Sequence, residues 1–364
     1  MKSAYRNDVR LSCAGHNLNL ADEKALKSPG ANLVHEMIKT SKEMVGYFKH
    51  SGKNQELNHT LKQDVVTRWN SQFFLLQSLS CQLDHVKSIL ADSKQFDKLE
   101  QLNNVNEKLL HDVVEFLHLF HKATVQLSRD NVPTSPDVWP MLFYLRSVCK
   151  IYGSDSNSMR DLKADFLSSL NEKYAIHPLH KLSTLIVPSY KYLSFVNTDD
   201  RNFVYSEMRS MVDKIISFSP NQVIRKDSGN TEIDSFSECS HSDQLPPAKK
   251  NKADLESYDL LADLKTVATP LSNADSNDTR HELDKYLALP VTACGALQFW
   301  KDNDREHKLP TMALIGRKLL AIPATSTASE RVFSVCGVTM SESRARLNPE
   351  TLEMLIFLKY NMQP

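Results

Sequence analysis

The amino-acid sequence predicts a mainly α-helical protein, and three observations support this prediction. Between residues 26 and 220 apolar side chains recur at helical spacing, and no convincing alternation of apolar and polar residues interrupts them. The whole chain contains only nine glycines and has neither a GxGxxG nor a GxxxxGK(S/T) motif, which disfavours a Gly-rich phosphate-binding fold. With 364 residues, the chain is long enough for two or three domains with their own cores.

Five apolar stripes predict that residues 26–220 form an all-α domain. Clusters of proline and polar residues at 133–136 and 197–200 separate neighbouring helices. The stripes consist of Trp69, Phe73, Leu76, Leu83, Val86 and Leu90; Leu109, Leu110, Val113, Val114, Leu117 and Phe120; Trp139, Leu142, Leu145, Val148 and Cys149; Leu162, Phe166, Leu170 and Tyr174; and Phe203, Met208, Met211, Val212, Ile215 and Ile216.

The composition changes at residues 221–257, where Ser, Asp, Glu and Asn dominate. Such a segment buries too little apolar area to offset the entropy of ordering, so we expect a mobile linker. Within it, Lys249, Lys250 and Lys252 have two interpretations, a weak nuclear-import signal or ordinary solvated linker residues.

Residues 258–364 regain helical patterns and end in a very apolar helix. Pro310 has the position of a first-turn proline, and Phe299 and Trp300 anchor the helix before it. The last helix is apolar around more than one face, which is typical of a helix buried against another domain or subunit. Its apolar residues include Leu352, Met354, Leu355, Ile356, Phe357 and Leu358.

Charge, cysteine usage and hydropathy exclude several classes of protein. Lys and Arg together equal Asp and Glu, 44 against 44, so no strong overall field attracts nucleic acid. The six cysteines are scattered without a CxxC pair, which argues against a disulfide framework or a zinc ribbon. No apolar run is long enough to span a membrane. We therefore expect an intracellular protein in a reducing compartment.

The first candidate functional residue is Glu330. Pro323 stops the preceding helix, and Thr327 stands three residues before Glu330, which is the spacing of a capping box. Val332, Val335 and Cys336 follow at helical spacing and predict a short helix with one buried face. Glu330 is then either a carboxylate that caps the helix or a carboxylate that binds a metal ion, and the local pattern leaves both open.

A second candidate is the pair Cys13 and His16, whose spacing is typical of metal ligands. A structural zinc site needs two more ligands, and none follows at a typical spacing, so we favour a buried structural role for both residues. Residues 9–13 read as a short strand that leads into a helix.

Three motifs, taken in order, resemble the hAT family of DNA transposases and especially its vertebrate BED-type zinc-finger relatives. The first is Cys13-x-x-His16-x-Leu18-Asn19-Leu20, and the second is Asp64-Val-Val-Thr67-Arg68-Trp69-Asn70-Ser71. The third runs from Phe299-Trp300 through Ile322-Pro323-Ala324 and Ser329-Glu330-Arg331-Val-Phe333-Ser334 to Leu355-Ile-Phe-Leu358, and is similar to the hAT C-terminal dimerisation region.

The resemblance implies an RNase H-like α/β core that a long helical insertion splits. Residues 1–25 would then be a remnant of that core, 26–220 the insertion, 221–257 the linker, and 258–364 the dimerisation region with returning helices of the core. The resemblance also implies that two Asp and one Glu hold divalent metal ions for DNA strand cleavage and transfer, and that Glu330 is the Glu.

For DNA, the resemblance assigns Arg68 and Trp69 to the cleavage site, where the indole stacks on a base turned out of the duplex. The alternative for Trp69 is packing in the core at the head of its helical stripe. Arg344 and Arg346, in a polar basic loop, complete the set of candidate DNA contacts.

The resemblance places the two Asp residues upstream of Met1, and one carboxylate cannot hold two metal ions. We therefore expect no transposase activity and no cofactor, with Mg²⁺ relevant only if those residues were present. The leading hypothesis is a nuclear, transposase-derived protein that forms a homodimer or a higher self-associated state. The alternatives are a truncated hAT transposase and weak residual DNA binding. The candidate dimerisation residues are Phe299, Trp300, Phe333, Leu352, Leu355, Ile356, Phe357 and Leu358.

Overall fold

The structure, a computed structural model, describes residues 11–65, 70–218, 259–266, 281–291, 294–340 and 347–362. Within these ranges the protein is built from α-helices and short 3-10 turns, without a β-strand. The helices are α1 Ala14–Leu26, α2 Asn32–His50, α3 Ser71–Ser80, α4 Leu83–Asp92, α5 Phe96–Asn103, α6 Glu107–Leu127, α7 Val138–Val148, α8 Asn157–Lys173, α9 Pro178–Ile186, α10 Thr198–Phe218, α11 Glu282–Ala288, α12 Ala296–Arg305, α13 Pro310–Leu320, α14 Thr327–Thr339 and α15 Pro349–Asn361.

Side chains at the helix starts define many of these boundaries. Asn106, Ser156 and Asn348 each precede a helix and accept a hydrogen bond from a backbone N–H three residues later. His177 and His180 form a reciprocal capping box at the start of α9, with a proline at its first position. Polar residues in the sequence therefore satisfy the N–H groups that each helix leaves without an intrahelical partner.

The first core lies among α1–α8 and centres on the rings of Phe116, Phe120 and Phe166. Helix α1 packs along α8, and Leu18, Ala21 and other residues of α1 are fully buried in this core. Residues 14–25, which the resemblance assigns to a remnant of the RNase H-like core, are thus an ordered helix packed in the first core. Their origin in an RNase H-like core stays a prediction.

The second core lies among α9–α13, and α7 contributes to both cores because Trp139 faces the second and Leu142 and Leu145 the first. Its other buried residues are Leu182, Leu185, Ile186, Leu193, Val196, Val204, Met208, Val212, Leu283, Tyr286, Phe299, Trp300, Leu309, Met312, Ala313, Ile315, Leu319 and Leu320.

Most of the predicted helices are confirmed. The second to fifth stripes correspond to α6, α7, α8 and α10. The first stripe is divided between α3 and α4, because the backbone of Gln82 has φ −118° and ψ 10° and ends the helical path. Trp69, residues 1–10 and the predicted linker lie outside the described residues.

The α/β part of the predicted fold is not confirmed. Residues 11–13 of the expected strand are irregular, and the described ranges contain no strand of an RNase H-like sheet. None of the helices in the described part of the chain combines the length and the apolar character that a membrane crossing needs.

Candidate self-association surface

Helices α14 and α15 contact each other as a hairpin, and neither helix contains a buried residue. The half-buried residues of α14 recur at helical spacing, as do those of α15, so each helix turns one face toward its neighbour. The predicted buried face of α14 is therefore only half-buried in a single chain. These half-buried residues are Val332, Val335, Cys336 and Thr339 on α14, and Leu352 and Ile356 on α15.

The outer faces of this hairpin carry large exposed apolar side chains. Phe333 is 73% exposed and Phe357 is 62% exposed. Exposed apolar residues scattered singly are ordinary on a protein surface, whereas a cluster of them on two adjacent helices marks an interaction site. The other exposed members are Val338, Met340, Met354, Leu355, Leu358, Tyr360 and Met362.

The base of the hairpin is held by the N-terminal end of α1 and by the loop after α6. The N–H of Ala14 donates to the carbonyl of Ala324 at 2.9 Å, and the N–H of Ala324 donates to the Thr134 hydroxyl at 3.0 Å. The N–H of Ser326 donates to the sulfur of Cys13 at 3.3 Å. The first and third sequence motifs therefore meet in space.

Two side chains of α14 extend this contact. Arg331 forms an ion pair with Asp130 and donates to the backbone carbonyl of Ser128 at 3.0 Å. The Thr327 hydroxyl donates to the Ser128 hydroxyl at 3.2 Å. Sequence reasoning missed Ser128, Asp130 and Thr134, because the segment around Pro133 predicts only a break between two helices.

Glu330 lies in the first turn of α14 and is exposed. The Ser326 hydroxyl donates to its carboxylate at 2.8 Å, and Ser326, not Thr327, precedes the helix. The predicted capping box between Thr327 and Glu330 is therefore wrong, although a carboxylate in the first turn still interacts favourably with the helix dipole.

The role of Glu330 as a metal-binding carboxylate, which the resemblance implied, stays a prediction. The described residues contain no group of three or more His, Cys, Asp or Glu side chains that could hold a metal ion. Among the described residues, the Glu330 carboxylate has its hydrogen bond from the Ser326 hydroxyl, whereas the neighbouring Arg331 is directed to Ser128.

Cys13 and His16 have different environments. Cys13 is half-buried, and its sulfur accepts the N–H of His16 at 3.4 Å and so caps α1. The side chain of His16 is exposed, so its predicted buried structural role is wrong.

Phe299 and Trp300 are buried in the second core. The indole N–H of Trp300 donates to the carbonyl of Ile186 at 2.9 Å. The Tyr286 hydroxyl lies 3.0 Å from the carbonyls of both Leu185 and Ile186. The side chains of Trp300 and Tyr286 thus bond to carbonyls that the end of α9 leaves unpaired. The expectation that Phe299 and Trp300 extend the exposed apolar surface is wrong.

The candidate DNA contacts Arg68, Trp69, Arg344 and Arg346 lie outside the described residues. The flanks of the second motif are described. The Lys42 ammonium lies 2.8 Å from the carboxylate of Asp64, which also accepts the Ser71 hydroxyl. Burial alone would raise the pKa of Asp64, but these hydrogen bonds outweigh burial and hold the pKa below its usual range.

A cavity of about 140 Å³ adjoins these residues and is lined by Asn70, Gln72 and Asp22, among others. Burial raises the pKa of Asp22 well above its usual range. Asn70 has a left-handed backbone (φ 57°), which Asn tolerates better than most residues. The described geometry thus brings the two ends of the second motif together.

A helical protein with an apolar hairpin at its C-terminal end belongs to the class of proteins that associate through such a surface. The comparisons with known proteins agree. The hAT family C-terminal dimerisation region matches residues 282–362. This chain is thus similar to hAT transposase-like proteins, and its residues 282–362 resemble the hAT C-terminal dimerisation region. The resemblance inferred from the motifs is confirmed.

The relatives extend the similarity beyond that region. Human zinc finger protein 618 is 23% identical over 97% of this chain and 34% of its own length. Human zinc finger BED domain-containing protein 4 is 22% identical over 97% of this chain and 29% of its own length. The Hobo transposase of Drosophila melanogaster is 23% identical over 92% of this chain and 53% of its own length. The chain spans about a third of the length of the two human relatives.

Proposed function

We propose that this chain acts as a transposase-derived protein that forms a homodimer through the outer faces of α14 and α15. The observation that carries the proposal is the exposure of Phe333 and Phe357 within a region that matches the hAT dimerisation region. Burying apolar surface contributes about 25 cal/mol per Å², so exposed aromatic side chains on adjacent helices favour association.

Sedimentation equilibrium of the purified chain tests this proposal. We expect the mass of a dimer at micromolar concentration and a monomer for the double variant Phe333→Glu/Phe357→Glu, because dimerisation would bury two carboxylates without partners. Phe96→Glu is the matched control, since Phe96 is an equally exposed phenylalanine on α5. A wild-type monomer at high micromolar concentration would contradict the proposal, as would a double variant that dimerises as the wild type does.

The second part of the proposal is that this chain does not cleave DNA. Its support is the environment of Glu330, whose carboxylate accepts a hydrogen bond from Ser326 and belongs to no group of three or more metal-ligating side chains among the described residues. Incubation with labelled transposon ends and Mg²⁺ is the test. Cleavage by the wild-type chain that Glu330→Gln abolishes would overturn this part and favour a truncated hAT transposase.

We place the protein in the nucleus, in a regulatory role at chromatin. The support is the kind of relative it has, since those named above are a transposase and zinc-finger proteins. Fluorescence imaging of the tagged chain tests the location, with Lys249, Lys250 and Lys252 replaced by Ala to test the candidate import signal. Cytoplasmic retention of the unaltered chain would contradict the assignment.

Residual DNA binding is the second candidate function, and the contacts of Asp64 favour it. By bonding to Lys42 and Ser71, Asp64 brings together the two ends of the motif that contains Arg68 and Trp69. Fluorescence anisotropy with a labelled duplex should show an affinity that falls as salt rises, with a shallower salt dependence for Arg68→Ala. Equal affinity of the wild type and the double variant Arg68→Ala/Trp69→Ala would exclude this role.

A further inference from the structure

The hairpin of α14 and α15 is joined to the rest of the protein through its base. Among the described residues, the hydrogen bonds and ion pairs that link these two helices to other elements come from Thr327 and Arg331, both in the first two turns of α14. The apolar faces beyond them project without such links. The direction in which the hairpin projects from the rest of the chain is therefore fixed by the contacts of a few residues at its base.

The segment before α14 is buried although it is a loop. Ala324 is buried, and both its N–H and its carbonyl are hydrogen-bonded to residues more than a hundred positions away in the chain. Thr325 is also buried. A buried backbone group without a partner costs about 1–3 kcal/mol, so the bonds from Ala324 to Ala14 and Thr134 fix this loop strongly.

The same contacts complete two helices of the first core. Ala14 is the first residue of α1, and its N–H has no partner within that helix, so the carbonyl of Ala324 supplies one. Ser128 is the C-cap residue of α6, and its carbonyl accepts the guanidinium of Arg331. A cation at this end of α6 also interacts favourably with the helix dipole. The segment at the hairpin base thus supplies hydrogen-bond partners to α1 and α6, and Thr134 supplies one to Ala324.

Cys13 adds a third link. Its sulfur accepts the N–H of His16 in its own helix and the N–H of Ser326, the residue before α14. The side chain of Cys13 thus caps α1 and also holds Ser326, the residue that precedes the hairpin. The segment 324–331 consequently contacts the start of α1, the end of α6 and the loop at Thr134 at the same time.

We infer that Cys13, Thr134, Ser128 and Arg331 are positioning residues that fix the direction of the hairpin. They thereby fix the relative orientation of the two protomers when a second copy binds. The effect on the orientation of the protomers rests on the proposed homodimer, whereas the coupling of the hairpin to the core exists in each chain alone. The dimer would then be a rigid particle with one geometry between its two protomers.

The distance between hairpin and core within one chain tests the coupling. Ketone-bearing residues introduced at the exposed positions Asp161 on α8 and Glu353 on α15 can carry spin labels without involving the native cysteines. We expect a narrow distance distribution in the wild type and at least a twofold broader one in Arg331→Ala and in Thr134→Val. Arg209→Ala is the matched control, because Arg209 forms its ion pair with Asp284, between α10 and α11, and makes none of the contacts at the hairpin base.

The dimer dissociation constant of the same variants distinguishes an effect on the direction of the hairpin from an effect on the affinity between protomers. We expect it to change by less than threefold, while small-angle scattering of the dimer shows a broader range of particle dimensions. An unchanged distance distribution in both variants would overturn the inference, as would a tenfold loss of affinity with the distribution intact. A wild type that stays monomeric would contradict the proposed function alone, because the distance within one chain still decides whether the base fixes the hairpin.

Discussion

The region that matches the hAT dimerisation region has two halves, α11–α13 and α14–α15, which differ in how far a single chain buries them. Helices α11–α13 are buried with α9 and α10 in the second core, whereas α14 and α15 have no buried residue. Both halves are rich in apolar residues, so the difference is not one of composition. A region defined by sequence similarity therefore contains a part that stabilises the protomer and a part that is available to a partner.

Polar groups explain why the first half is integrated into the protomer. The carboxylate of Glu282 accepts the backbone N–H groups of Thr311 and Met312 at 3.3 and 2.8 Å, so α11 caps the start of α13. Arg209 of α10 donates to both oxygens of Asp284 on α11. Beyond its base, the hairpin has no comparable contacts to other elements in the described residues.

The largest effect that separates the two halves should come from aromatic truncation. Trp300→Ala removes a buried side chain and its hydrogen bond to Ile186, so we expect a loss of about 3–5 kcal/mol in the free energy of unfolding. Phe333→Ala should change that free energy by less than about 0.5 kcal/mol at concentrations where the chain is monomeric. Urea unfolding measures both, and equal effects would contradict the division of the region.

A smaller effect should follow acidification, and in the second core it should come from His180. Burial also lowers the pKa of His121 on α6 to about 4, so a variant is needed to isolate the part due to His180. Burial, with a contribution from His177, lowers the pKa of His180 to about 4. Because this is below the unfolded-state value of about 6.5, the unfolded chain binds more protons between those pH values, and stability falls as pH falls through that window. The loss should reach about 2–3 kcal/mol, since each pKa unit corresponds to about 1.4 kcal/mol.

The variant His180→Gln sharpens this prediction. Neutral His180 accepts the N–H of His177 through Nδ1, and the amide oxygen of Gln can accept the same bond without titrating. The melting temperature of the variant should therefore depend less on pH between 6.5 and 4 than that of the wild type. Identical pH profiles would show that His180 is not the group responsible.

The smallest effect, and the one with opposite signs in the two halves, concerns two helical glycines. A Cβ on Gly316 in α13 would lie 3.1–3.3 Å from the ring of Trp300, whereas a Cβ on Gly337 in α14 would meet no atom within 4 Å. Gly316→Ala should cost about 1–3 kcal/mol through overpacking. Gly337→Ala should stabilise α14 by up to about 1 kcal/mol. Thermal unfolding of both variants measures the contrast, and destabilisation by Gly337→Ala in the monomer would contradict it.

Much of the helical architecture was predictable from the sequence, because helices that face a core carry apolar residues at a period of 3.6. The stripe from Leu109 to Phe120 predicted α6, and Pro310 predicted the first turn of α13. The apolar character of the last helix predicted a surface that needs a partner, and the exposure of Phe357 agrees with it.

The errors share one physical cause, which is that periodicity identifies an apolar face without identifying what covers it. Phe299 and Trp300 would have the same pattern whether a second chain or α9 covered them. The helix start at Ser326 depends on contacts to Cys13 and Ser128, which are distant in sequence, so the local spacing of Thr327 and Glu330 predicted the wrong cap. Long-range polar partners of this kind leave no local signal.

Hydrogen–deuterium exchange at several protein concentrations shows which helices a second copy covers. We expect the protection of peptides from α14 and α15 to rise as the concentration passes the dimer dissociation constant. Peptides from α12 and α13 should exchange slowly at every concentration, because a single chain already buries them. Protection of α12 and α13 that depends on concentration, or protection of the hairpin that does not, would contradict the assignment of self-association to α14 and α15.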